Sequence, residues 1–236
     1  MFYSICGSEI NQYTLPVLNS NMFVLIWNNK ALVIDPSVSE QARELLEREH
    51  VSDVTVILTH EHLDHISGVN ALRNWASENA SERKCTVYCN EYCKDAVRDP
   101  KTSLAEFFFA MFINKSPEEI ETAKNLFDRK YTCEADVGFC GSYELGWENL
   151  KLVLRETPGH SSGSICIEIY DGCNNLKALA TGDSLVQGNK VITRLPGGSK
   201  KSYQEVVRPY LESFPGDTLV LPGHGEISLM KDLELG

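Results

Sequence analysis

Residues 53–65 read Asp-Val-Thr-Val-Ile-Leu-Thr-His-Glu-His-Leu-Asp-His. Asp53 to Thr59 form a β-branched, apolar run suited to a strand buried on both faces. His60, His62, Asp64 and His65 follow at once. In an extended segment alternate side chains point the same way, so His60 and His62 can grip one ion. At the turn into a helix that direction changes, which lets Asp64 and His65 face a second ion beside it. A buried strand ending in metal-ligand side chains is the arrangement by which α/β sheets build sites outside their strand ends.

The flanking sequence supports an α/β reading. NMFVLIW (21–27) and KALVIDP (30–36), joined through Asn28-Asn29, predict a β-hairpin, and residues 38–50 carry apolar positions at helical spacing. A helical stretch from about His65 to Asn79, the strand CTVYC (85–89) and a short helix before Pro100 continue the alternation. Strands are predicted again at 150–157, 164–170, 176–181 and 219–222, with a helix near 200–213. One domain over 1–236 accommodates all of this, with a helical insert at 101–129. The insert pairs an aromatic-rich helix candidate, LAEFFFAMFI, with a second helix opened by Ser116-Pro117-Glu118-Glu119, which has the form of a capping box.

Five of the six histidines lie in three loops behind predicted strands: His60, His62 and His65, then His160 in TPGHSSG, then His224 in PGHG. A fourth loop, Thr181-Gly182-Asp183-Ser184, supplies a carboxylate. Each short motif is ordinary by itself; the four in order are not. Seven N/O ligands exceed the four of one tetrahedral zinc site and suit two ions bridged by a carboxylate, roughly 3.5–4 Å apart. The lack of thiolates points to an open, catalytic centre. Thr59, Ser161 and Ser184 are candidates for orienting the ligands. His50, outside the set, is placed at a helix end, where its charge would favour the dipole.

With 22 Lys and Arg against 33 Asp and Glu, the net charge is −11. That excess argues against a nucleic-acid surface and against an anionic membrane. The first basic residue is Lys30 and no run reaches bilayer length, so a cytoplasmic location with reduced thiols is expected. Cys85, Cys89 and Cys93 read as small buried side chains that do not share one face. Two divalent cations beside two carboxylates would make the cleft locally cationic, which leaves room for a small anionic substrate. Lys190 and Arg194 are candidate anchors for it.

The His-x-His-x-Asp-His run, with PGH, TGD and PGHG behind it, resembles the metallo-β-lactamase-fold hydrolases over about residues 12–228. The resemblance implies an αβ/βα four-layer sandwich of two mixed sheets with outer helices. It implies a first metal site of His60, His62 and His160, a second of Asp64, His65 and His224, and Asp183 as the bridging ligand. The cofactor would be two divalent ions, zinc by preference, although the same donors accept iron, manganese or cobalt.

TGDSL, then Arg194-Leu195-Pro196-Gly197-Gly198, then PGHG is similar to the glyoxalase II-like thioester hydrolases. The expected reaction is cleavage of a small acyl substrate, a thioester or ester, by a hydroxide bridged between two metal ions, with Asp64 a candidate proton shuttle. The full-length glyoxalase II enzymes carry a C-terminal helical domain that helps hold glutathione. Only twelve residues follow His224 here, so no such domain is expected and glutathione as substrate loses its main structural support.

Alternatives are a mononuclear-iron persulfide dioxygenase, a lactonase of the same fold, and an inactive binding module. Family lactonases often place Tyr after the bridging Asp, where this chain has Ser184-Leu185-Val186. The binding module is disfavoured because no ligand is missing. Phe107, Phe108, Phe109, Met111 and Phe112 form an apolar surface, and a run apolar on every side is expected to be buried on more than one face. Three uses are open to it: a substrate wall, a homodimer contact, or packing on the chain's own core.

Overall fold

The computed structural model describes residues 3–78, 83–112, 115–186 and 190–234. Seven strands form one sheet in sequential order: β1 (Ser4–Ile5), β2 (Ser8–Thr14), β3 (Asn21–Trp27), β4 (Lys30–Ile34), β5 (Asp53–Ile57), β6 (Lys84–Asn90) and β7 (Val137–Phe139). The second sheet comprises β8 (Ser142–Trp147), β9 (Leu150–Glu156), β10 (Ile165–Asp171), β11 (Leu176–Gly182), β12 (Leu219–Pro222) and β13 (Ser228–Leu229), also sequential. β4 to β7 run parallel, as do β11 and β12, and the other neighbours are antiparallel.

Strand alternation builds the layers. Phe23, Leu25, Leu32, Ile34 and Ile57 turn inward against Leu152, Leu154, Ile165, Ile167 and Leu221 of the second sheet. The opposite faces of the same strands, Val24, Val33, Val54 and Val56, pack under α1 (Glu40–Arg48) and, beyond the site loop's α2 (Leu63–Ile66), under α3 (Val69–Ser77). On the far side Cys166, Leu179 and Val220 are covered by Tyr203, Val207 and Leu211, from a helical run over residues 200–212 that includes a π-turn. The result is the αβ/βα four-layer sandwich, and the strand over 53–59 is buried on both faces, as read. Among the described residues no helix is long and apolar enough to cross a membrane.

Several elements depart from the sequence reading. The helix predicted over 65–79 is two helices, broken at Ser67-Gly68, because Gly68 packs on the Pro36-Ser37 backbone and donates its N–H to Pro36 O at 2.8 Å. Asn79 lies outside the described residues. Cys85 and Cys89 alternate onto the helical side of β6, and Cys93 reaches the same core from α4 (Glu91–Ala96). The three therefore share one face after all, as small apolar side chains.

The insert's aromatic stretch is a 3₁₀ helix (Ala105–Phe112), followed by α5 (Pro117–Leu126) with the predicted capping box of Ser116 and Glu119. Three residues per turn set neighbouring side chains about 120° apart. Phe108 is accordingly buried with Phe127, Leu15, Val17 and Leu63, and Phe109 packs against the same cluster, while Phe107 is 52% exposed. The side chains of Met111 and Phe112 lie outside the described residues.

Candidate metal centre

The topology gathers four strand ends. β9, β11 and β12 point the same way, since β10 is antiparallel to β9 and β11 while β12 is parallel to β11. Their C-terminal loops, with His160, Asp183 and His224, therefore emerge at one edge. The loop after β5 joins them there through Ile165 N–H donating to Thr59 O at 2.8 Å. Glycine permits the close approach: Gly182, at φ +47°, packs directly on the Thr59 side chain, and any Cβ on Gly223 would strike Asp183 Oδ1.

The structure brings together all seven side chains singled out in the sequence. His60, His62 and His160 face one another, buried, with donor atoms within 4.8 Å. Asp64, His65 and His224 do the same on the adjoining side, nearer solvent. Asp183 spans both groups. Its Oδ2 lies 3.4 Å from His160 Nε2 and 3.5 Å from His224 Nε2, and its Oδ1 lies 3.5 Å from His65 Nε2. Asp64 Oδ2 is 3.4 Å from His65 Nε2 and 3.6 Å from His224 Nε2.

These spacings suit a cation. A tetrahedral ion with bonds of about 2.1 Å holds its ligands about 3.4 Å apart. His60 Nε2, His62 Nε2, His65 Nε2 and Asp183 Oδ1 are moreover buried polar atoms with no hydrogen-bond partner among the described residues. Such orphans are costly in a protein interior unless something pairs with them.

Hydrogen bonds on the outer nitrogens set the tautomers. The Thr59 hydroxyl gives its one proton to Asp35 Oδ2 at 2.5 Å, so at its 3.0 Å contact with His60 Nδ1 it can only accept. His60 Nδ1 is thereby the protonated nitrogen and Nε2 carries the lone pair. His65 Nδ1 donates to Asp35 Oδ2 at 2.8 Å, His160 Nδ1 to Ile192 O at 2.8 Å, and His224 Nδ1 to Leu18 O at 3.1 Å. His62 differs, turning Nδ1 toward His160 Nε2 at 3.0 Å. These bonds turn the Nε2 atoms of His60, His65, His160 and His224 inward, and a metal requires each of them deprotonated.

Burial and the neighbouring imidazoles hold His60 and His62 well below the usual histidine range. Burial opposes charge on His65 too, but Asp64, Asp183 and Asp35 outweigh it and push that pKa up to about 10. Asp183 is buried against ionisation, yet His65, His224 and His160 hold it well below the carboxylate range.

Asp35 was missed in the sequence. It follows β4, is buried, and sits at φ +53°, a strained conformation for a side-chain-bearing residue. Nothing in Ile-Asp-Pro announces that. Glu61, between the first two histidines, was passed over as well. Its buried carboxylate accepts from Ser161 Oγ at 2.9 Å, and burial raises its pKa to about 7. Ser161 thus reaches the site through Glu61, whereas Ser184 contacts Thr157 and touches none of the seven. The centre opens into a cleft of about 520 Å³ walled by Leu18, Val186 and Ile192, with Lys190 on its rim. Arg194 is exposed and does not line the cleft.

Comparison with known proteins points to the same fold. Residues 15–80 match the model of the metallo-beta-lactamase superfamily. An uncharacterized protein of Mycobacterium tuberculosis is 26% identical over 226 residues, covering 92% of this chain and 90% of that one. The probable metallo-hydrolase YqgX of Bacillus subtilis is 24% identical, covering 88% and 86%. A hydroxyacylglutathione hydrolase of Prochlorococcus marinus is 41% identical over 68 residues only, 28% of this chain and 26% of that protein.

Among solved structures, BLEG-1 B3 metallo-beta-lactamase superposes with a TM-score of 0.70 at 24% identity, covering 94% of this chain and 95% of that one. The di-iron-bound form of TTHA1623 superposes at 0.67 and 22%, covering 94% and 96%. At these identities the structural likeness concerns the fold. The chain has the metallo-β-lactamase fold, matches that superfamily's sequence model over residues 15–80, and carries at the fold's strand ends a His/Asp donor set suited to divalent metal.

Proposed function

We propose that this chain is a hydrolase that uses two divalent ions to cleave a small acyl substrate, a thioester or ester bearing an anionic group. The observation that carries the reading is Asp183, one carboxylate within 3.4–3.5 Å of imidazoles from both ligand groups. His60, His62 and His160 would hold one ion, Asp64, His65 and His224 the other, and Asp183 both. When bound, such a pair polarises a carbonyl and makes a water acidic enough to lose its proton near neutral pH.

The chain's own residues supply the rest. Leu18, Val186 and Ile192 exclude water from one side of the acyl group, and the Lys190 ammonium pairs with the substrate's anion. Asp64, whose Oδ2 faces His65 and His224, takes a proton from the attacking water and returns it to the departing sulfur or oxygen. A one-ion, oxygen-consuming persulfide dioxygenase would need only the first group; the complete second group favours the hydrolase. Metal analysis with a panel of acyl-thioesters, lactones, a cephalosporin and a phosphodiester tests this. Two ions per chain with thioester turnover is the expected result, and one iron with oxygen uptake would overturn it.

A further inference from the structure

His224 sits in a turn with little regular structure to hold it. β12 ends at Pro222, Gly225 takes φ +90°, and the backbone pairing at His224 itself is an isolated bridge to Ser20. The next residue, Asn21, does what the sheet does not. Its backbone N–H donates to Gly223 O at 2.7 Å, and its side-chain Nδ2 donates to Pro222 O at 2.9 Å and Gly225 O at 2.7 Å. Three carbonyls around His224 therefore converge on one residue that is 2% exposed.

The amide's orientation is fixed from behind. Asn21 Oδ1 accepts from Gln12 Nε2 at 2.9 Å and from Thr14 Oγ1 at 3.1 Å, so both of its lone pairs are used and the group cannot flip. Gln12 Nε2 also reaches Gly225 O at 3.0 Å. Only an amide fits this position: two donors are needed on one side and an acceptor on the other. An aspartate of the same shape would set an oxygen against two carbonyl oxygens.

We infer that Asn21 is a positioning residue for the second ligand group, holding the Pro222–Gly225 turn so that His224 Nε2 meets Asp64 and Asp183. It touches none of the seven side chains and acts through the turn. The inference rests on the two-ion reading for its consequence, but its geometric part does not. Orienting groups of this kind change metal affinity by roughly 10–100-fold when removed.

The test uses the full chain, stripped with chelator, in wild-type, Asn21→Asp and Asn21→Ala forms, with thermal melts to verify folding. Nitrogen NMR of the metal-free chain reads the His224 tautomer and ring environment. Competition titration with zinc then reads the two affinities separately. We expect Asn21→Asp to shift the His224 resonances while those of His60 and His62 hold, and to weaken one zinc about 10-fold or more with the other within about 2-fold. If the folded variants keep wild-type His224 resonances, the inference is overturned. Equal weakening of both zinc ions overturns it too, since that marks a general loss of structure. If wild type takes up a single ion, the two-ion reading fails, and the NMR arm still decides the role of Asn21. Should both substitutions prevent folding, Gln12→Ala, which removes one support of the same amide, must give the same pattern at smaller amplitude or the inference falls.

Discussion

The two ligand groups share Asp183 and differ in almost every other respect. His60, His62 and His160 are all imidazoles, deeply buried, with their donors pulled together by loops after β5 and β9. Asp64, His65 and His224 mix carboxylate with imidazole, and His224 keeps 24% of its side chain exposed. The first group leans on the Ile192 carbonyl at His160 and on Asp35, through Thr59, at His60. The second adds a support for its backbone: Asp35 holds His65, the Leu18 carbonyl holds His224, and Asn21 holds the turn. A site can thus be uniform in donor type and buried on one side, and mixed in donor type and nearer solvent on the other. The comparison teaches that the second group should be the one easier to disturb from afar.

Asp183→Asn should erase the difference altogether, since it removes the shared carboxylate. Loss of both ions and a fall in kcat of about three orders of magnitude are expected, equivalent to about 4 kcal/mol of barrier. Metal analysis and steady-state kinetics check it. Retention of two ions would show that the groups are independent. Asp35→Ala comes next. Its carboxylate orients His65 directly and His60 through Thr59, so metal affinity should drop about 10–100-fold, with His65's ion affected more than His60's. Equal losses at both would mean that the network through Thr59 matters as much as the direct bond.

Phe108→Ala sharpens the contrast from the insert. Phe108 packs with Leu63, between His62 and Asp64, and with Leu15 and Val17, next to Leu18. Emptying that cluster costs about 3–5 kcal/mol and should lower Tm by roughly 10 °C. The second ion should weaken and the first should hold, as zinc titration would read. The smallest effect is expected from Lys190→Ala. An exposed charge contributes about 1 kcal/mol or less, so KM for an anionic thioester should rise no more than about 5-fold with kcat unchanged. A neutral ester should be indifferent to the change, and any drop in kcat would place Lys190 in the chemistry instead.

Much of this was legible in the chain. The buried strand ending at Thr59, the hairpin of β3 and β4, and β9 to β12 follow from apolar periodicity, which is strong where both faces are covered. The four ligand loops were visible because each sits directly behind such a strand. Strands β1, β2, β7, β8 and β13 were not. β2 reads Ser-Glu-Ile-Asn-Gln-Tyr-Thr, and β8 alternates against solvent, so neither carries a buried run. Asp35 and Asn21 escaped for another reason. Each acts through a hydrogen bond to a segment far along the chain, 30 residues away for His65 and about 200 for the His224 turn. No local pattern encodes that. The 3₁₀ path of the aromatic insert was equally hidden, since its residues suit an α-helix as well and tertiary packing chose between them.

The central claim is a two-ion centre joined by Asp183, and the number of divalent ions bound per chain tests it most directly. The purified full-length chain and its Asp183→Asn variant would be saturated with zinc, freed of excess, and measured by elemental analysis against protein concentration. Two ions per chain in the wild type, with both lost together in the variant, is the predicted result. One ion per chain in the wild type, unchanged by the substitution, would contradict it.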